Sequence, residues 1–182
     1  MMNTKKLSIR ELCQMSIFIA IIAACAQIVI PMPFGVPITL QTFAIPLAGV
    51  VLGAKNGTLA TVVYVLLGAI GAPVFHAFTG GLNMVFGITG GFILSFPLMA
   101  LAAGIGSNKN NRLWLALWLV IGATVNYICG LLWFSFVTSN SLAVSVIFVV
   151  LPFIPGDIIK IIMVVMLGNL IKHALVKSRV LV

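Results

Sequence analysis

The sequence predicts an all-α membrane protein: six transmembrane helices with both termini cytoplasmic and an outward-facing pocket beneath Pro/Gly-rich outer loops. Three observations lead there. Hydrophobic residues make up 62% of the chain and charged residues 7%, far below the roughly one quarter charged residues of a water-soluble domain. The 182 residues suffice for six spans at about 20 residues each. The ten basic residues are unevenly placed, since the N-terminal segment (Lys5, Lys6, Arg10), the turns at Lys55 and at Lys109 and Arg112, and the tail (Lys172, Lys177, Arg179) hold all but Lys160. The positive-inside rule puts those ends in the cytoplasm, and six spans return both termini to one side. The expectation is one domain, residues 1–182, multi-pass in a bacterial-type plasma membrane.

The net charge of +8 is dispersed over helix ends instead of gathered on a face, which argues against a nucleic-acid partner. The first apolar run lacks a small-residue cleavage site and reads as a retained span. Cys13, Cys25 and Cys129 lie singly in apolar stretches and read as core fillers without a metal.

The first span is expected from about Ser8 to Ile30. Ser16, Ala20 and Ala24 recur on one side of it, a small-residue row that lets two helices approach closely; from the residues alone, another helix of the same chain is the expected neighbour. Pro31, Pro33 and Pro37 then break the helix, because each proline removes a donor. The second span is expected over 39–54 and the third over 57–70, joined by a turn at Lys55-Asn56-Gly57, with Gly49, Gly53 and Gly57 packing tightly. Residues 71–91, rich in glycine and phenylalanine, are irregular. Coil is not tolerated against lipid, so this stretch suits a lid. The fourth and fifth spans cover about 90–105 and 113–137. Residues 138–151 read as a half-span or a surface hairpin, and the sixth span runs from Asp157 to about Ala174.

Pro152-Phe153-Ile154-Pro155-Gly156-Asp157-Ile158-Ile159-Lys160 carries the chemistry. Asp157 is one of two acidic residues in the chain and suits an N-cap. Lys160 follows one turn later on the same face, in a first turn whose partial charge disfavours a cation. Two readings stay open. In one, the residues form an i,i+3 pair that caps the helix while Lys160 snorkels to the headgroups. In the other, Lys160 and the helix end hold the carboxylate of a small apolar guest. For the second, Phe34, Phe75, Phe78, Phe86 or Phe92 would enclose the apolar part. Asn83, Thr89, Gln41, Asn126 and Tyr127 would orient it.

No GxSxG, HExxH or GxxxxGK[ST] pattern occurs, so no enzyme and no P-loop ATPase is expected in this chain. A stand-alone secondary carrier or facilitator for a small carboxylated vitamin is the alternative; the scarcity of carboxylates for proton coupling weighs against it.

Across residues 31–160 the chain resembles the BioY family, the biotin-specific substrate-binding (S) components of energy-coupling factor (ECF) transporters. The resemblance rests on Pro37-Ile38-Thr39-Leu40-Gln41-Thr42, residues 47–53, Gly68-Ala69-Ile70-Gly71-Ala72-Pro73-Val74-Phe75, Thr89-Gly90-Gly91-Phe92, residues 127–133 and residues 152–160. The family usually reads GPTGGY where this chain has Gly87-Ile88-Thr89-Gly90-Gly91-Phe92. The resemblance implies biotin uptake without a cofactor, biotin being held with help from Asp157 and Lys160. It also implies that Ser16, Ala20 and Ala24 dock on an ECF transmembrane coupling subunit shared with two ATPase subunits.

Overall fold

A computed structural model describes residues 7–109 and 111–177. It is mostly helical, with many large apolar side chains on its outside and several polar ones inside. Ile17, Ile21, Leu117, Val120, Ile158 and Ile162 are exposed, whereas Gln41, Thr61, Ser95, Asn126, Asp157 and Lys160 are buried. That inversion suits a hydrocarbon surround, where polar groups must find partners within the protein.

Helix α1 (Ile9–Ala26) opens with a capping box, in which Ser8 and Glu11 satisfy each other's backbone N–H. It ends at Ala26, earlier than expected, because Val29–Ile30 (β1) pairs antiparallel with Ile38–Thr39 (β2). This short ribbon closes the proline loop 31–37. Helix α2 (Gln41–Ala69) is broken at Gly53, whose φ of 79° and ψ of 170° are not helical. A methyl group on Gly57 would lie 2.6 Å from the Gly49 Cα. Eight residues along a continuous helix are about 12 Å apart, so the chain reverses at Gly53. The turn expected at Lys55-Asn56-Gly57 is corrected accordingly: left-handed backbone is open to glycine at little cost, and helix resumes immediately after it. The three glycines therefore do not share one helix face. Gly49 and Gly57 pack on each other across the reversal, and Gly49 also meets the backbone of Ala100.

Residues 71–91 are less irregular than expected, holding a 3-10 turn at His76–Phe78 and a short helix α3 (Leu82–Phe86). Helices α4 (Gly90–Gly106), α5 (Arg112–Thr138), α6 (Leu142–Val149) and α7 (Ile154–Lys177) follow. Asn111 caps α5 through its side chain. Residues 138–151 resolve into the eight-residue α6, packed on α5. Among the described residues four segments are long and apolar enough to cross a membrane: α1, α2, α5 and Ile154–Lys172 of α7; α4 is a shorter apolar helix.

Side-chain bonds gather the basic segments at one end of the bundle. Asn56 donates to Glu11 (3.2 Å), and Lys172 donates to the Ser107 carbonyl (3.0 Å) at the C-terminus of α4, where a cation complements the helix dipole. At the other end the proline and glycine loops meet. Gly35 abuts Ile88, Trp133 Nε1 donates to the Gly87 carbonyl (2.9 Å), and Phe34 stacks on Phe148 with ring centroids 3.6 Å apart. Lys5, Lys6 and Arg179 lie outside the described residues. All three cysteines are free thiols; Cys13 is exposed on α1, so it is not the core filler expected.

Candidate binding cavity

Helix α7 begins at Ile154, before Pro155. A proline in the first turn costs no hydrogen bond, since that N–H has no helical acceptor. The Asp157 N–H already bonds to the Phe153 carbonyl (2.9 Å). Asp157 is thus inside the helix and is not its N-cap, and Lys160 lies beyond the first turn; both expectations are corrected. The pair itself forms. Lys160 Nζ donates to Asp157 Oδ1 at 2.8 Å and to Thr42 Oγ1 at 2.8 Å. Thr42 in turn donates to the same Oδ1 (3.1 Å), and Tyr127 donates its hydroxyl to Oδ2 (2.5 Å). Asp157 and Lys160 are each 7% exposed, so Lys160 does not snorkel. The ammonium is held by Asp157 of its own helix and by Thr42 of α2, while Tyr127 of α5 reaches the Asp157 carboxylate.

One spare valence remains on each partner. A carboxylate accepts about four hydrogen bonds and an ammonium donates three; Asp157 uses three and Lys160 two. A net-neutral pair with one acceptor and one donor to spare complements a neutral group carrying an N–H beside a C=O.

This cluster lines a cavity whose empty space, mouth included, is about 560 Å³. Phe75, Phe92, Phe96, Phe153 and Val36 supply apolar walls. The Phe92 and Phe153 rings are near parallel (13°) with centroids 6.5 Å apart. Two glycines set ring positions: the Phe75 ring lies over Gly68 and the Phe92 ring over Gly130, both too close for a Cβ. Gln41 accepts from Thr39 (2.9 Å) and donates to the Tyr64 hydroxyl (2.7 Å), which donates to the Val74 carbonyl (2.9 Å). Asn126 spends its amide hydrogens on the Phe92 carbonyl (3.0 Å) and Ser95 Oγ (2.8 Å), joining α5 to α4.

Of the residues singled out in the sequence, Asp157, Lys160, Thr89, Gln41, Asn126, Tyr127, Phe75 and Phe92 come together in this lining. Asn83 and Phe34 do not. Asn83 is exposed on α3, and the Phe34 ring is turned away onto Phe148. Phe78 and Phe86 are exposed as well. Within glycine-rich loops no residue period tells which side chain turns inward. Thr42, His76 and Phe153 line the cavity and were missed; their only signal was adjacency to Gln41, Phe75 and Pro152.

His76 stands apart from the other polar lining residues. Its Nε2 is buried with no hydrogen-bond partner, which ordinarily costs about 1–3 kcal/mol. Burial lowers its pKa below the usual histidine value, favouring the neutral imidazole at pH 7.

On α1, Met15, Phe18, Ile22 and Ala26 face the core, while Ser16, Ala20 and Ala24 are all exposed. The small-residue row is therefore not spent on a helix of this chain, which corrects that expectation. Ser16 returns its hydroxyl to the Leu12 carbonyl (3.0 Å), so it adds no unpaired donor to the apolar face.

Comparison with known proteins bears on this geometry. A "Probable biotin transporter BioY" of Pyrococcus horikoshii is 40% identical over 152 residues, 83% of this chain and 89% of that protein. A "Biotin transporter BioY" of Thermotoga maritima is 39% identical over 165 residues, covering 90% and 96%. The crystal structure of the S-component for biotin from an ECF-type ABC transporter superposes with a TM-score of 0.83 at 28% identity, covering 95% of each chain. The BioY family profile matches residues 2–177, nearly the whole sequence, and the chain belongs to that family.

Proposed function

We propose that this chain is a transporter subunit, not an enzyme: the membrane-embedded S component that captures biotin and delivers it with ECF partners. The observation that carries the reading is the Lys160–Asp157–Thr42–Tyr127 cluster, buried in an aromatic cavity. Biotin has a ureido group, an apolar bicycle and a valerate carboxylate. The spare donor of Lys160 suits the ureido oxygen, and the spare acceptor of Asp157 suits a ureido N–H. This orientation replaces the expected Lys160–carboxylate contact, because an ion-paired lysine offers little net attraction to an anion. Phe92 and Phe153 flank the bicycle, and Gln41, Thr89 and Tyr127 hold the wall around it.

The whole chain, residues 1–182, acts as one unit. Counting α2 as two arms and α4 as a shorter crossing makes six spans. The basic ends face the cytoplasm, and the cavity opens outward under the loops 31–37 and 71–91. The exposed Ser16–Ala20–Ala24 row docks on a transmembrane coupling subunit that carries two ATPases. Asp157, committed to Lys160, is poorly placed to couple a proton gradient, which disfavours a stand-alone carrier.

Equilibrium titration of the purified chain in lipid nanodiscs with biotin tests the reading. Saturable one-to-one binding is expected, and no binding would overturn it. Ala20→Leu should leave that titration within about twofold, since the residue is exposed and away from the cavity. It should abolish ATP-driven uptake when the ECF partners are supplied, because a bulky side chain prevents close helix approach.

A further inference from the structure

We infer that His76, through Nε2–H, donates the hydrogen bond that holds the guest's carboxylate. This assignment rests on the biotin reading and adds a contact for the acid end. The side-chain donors of the cavity are nearly all committed. Thr39, Thr42, Thr89 and Tyr127 donate to Gln41, Asp157, the Met84 carbonyl and Asp157 respectively, and Asn126 uses both amide hydrogens. Gln41 retains one hydrogen and Lys160 one. Among the described residues two buried side-chain nitrogens have no protein partner, Trp118 Nε1 and His76 Nε2, and of these His76 alone lines the cavity. The Asp157–Lys160 pair cancels its own charge, so an anionic group gains more from a separate donor elsewhere in the lining.

The segment bearing His76 is built to hold it still. Gln27, the C-cap of α1, donates to the Phe75 carbonyl (3.0 Å) and accepts from the Phe78 N–H (2.8 Å), gripping the chain on both sides of the histidine. The His76 carbonyl accepts the Thr79 hydroxyl (2.7 Å), and the Phe75 N–H donates to the Thr79 carbonyl (2.9 Å). Between these bonds Ala77 and Phe78 adopt left-handed backbone, with φ of 52° and 55°. Such conformations are unfavourable for residues with a Cβ and persist where surrounding contacts over-determine them. Phe75 is itself pinned edge-on against Tyr64. A donor fixed this way loses little freedom when it binds.

The test is a ligand–variant cycle in nanodiscs. Biotin and an analogue whose side chain ends in methyl in place of the carboxylate are titrated against the unsubstituted chain, His76→Ala and His76→Gln, with thermal melts of each. His76→Ala should weaken biotin about 10- to 100-fold, as expected for a hydrogen bond to a charged group. It should leave the methyl-ended analogue within about twofold, and His76→Gln, which keeps an N–H, should recover part of the loss. Equal weakening of both ligands would reduce His76 to a structural role in its loop and overturn the inference, as would unchanged biotin affinity in His76→Ala. If the unsubstituted chain fails to bind biotin, the proposed function falls first and this inference with it.

Discussion

Lys160→Ala is expected to lower biotin affinity by about 30- to 4,000-fold, the largest effect of any single substitution in the chain. Among the described residues the ammonium is the only cation paired with Asp157, and the carboxylate is buried with Thr42 and Tyr127 as its remaining partners. Removing one member of a desolvated charged contact costs about 2–5 kcal/mol, and each 1.4 kcal/mol is about tenfold in affinity. Breaking a buried ion pair should also destabilise the fold by about 3–5 kcal/mol. A companion variant separates the two effects. Asp157→Asn with Lys160→Met removes both charges together, so it should melt above Lys160→Ala while binding biotin no better. A double variant that melts lower than the single one would mean the pair contributes to stability beyond mutual neutralisation.

Gly130→Ala is expected to weaken biotin about tenfold or more with a smaller loss of stability. The added methyl has nowhere to go except into the Phe92 ring, whose atoms already sit over the glycine. The ring must shift, and because it lines the cavity the shift reshapes that wall. Overpacking of this kind costs about 1–3 kcal/mol, and here the strain falls on a wall of the binding site. Gly156→Ala is the control: a Cβ there meets nothing within 4 Å, and alanine favours helix over glycine by up to about 1 kcal/mol. It should bind normally and melt at the same temperature or slightly higher. Biotin titrations and thermal melts of both variants check the pair of expectations.

The helical content, the convergence of the proline and glycine loops and the Asp157–Lys160 pair were legible in the sequence. Hydropathy marks long apolar helices directly, and a charge is conspicuous where only two acidic residues exist. The reversal at Gly53 was hidden because Lys55-Asn56-Gly57 carries the polar signature of a turn, whereas the break needs only one residue able to take a positive φ. Rotational phase was the other obstacle. Ser16, Ala20 and Ala24 share a face by spacing, but spacing does not tell whether that face meets a helix of this chain or the outside. In the loops even the phase is absent, so Asn83 and Phe34 looked as suitable as Thr89 and Phe92. The partner of Lys160 was named in the sequence; that Thr42 and Tyr127 would also reach the pair, from two other helices, depends on tertiary packing and could not be read.

The most direct test of the central claim is a structure of this chain with biotin bound. Lys160 Nζ should lie about 3 Å from the ureido oxygen, with an Asp157 oxygen at similar distance from a ureido nitrogen and the Thr42 and Tyr127 contacts retained. Biotin seated away from this pair, or Lys160 released from Asp157 and extended to the lipid headgroups, would contradict it.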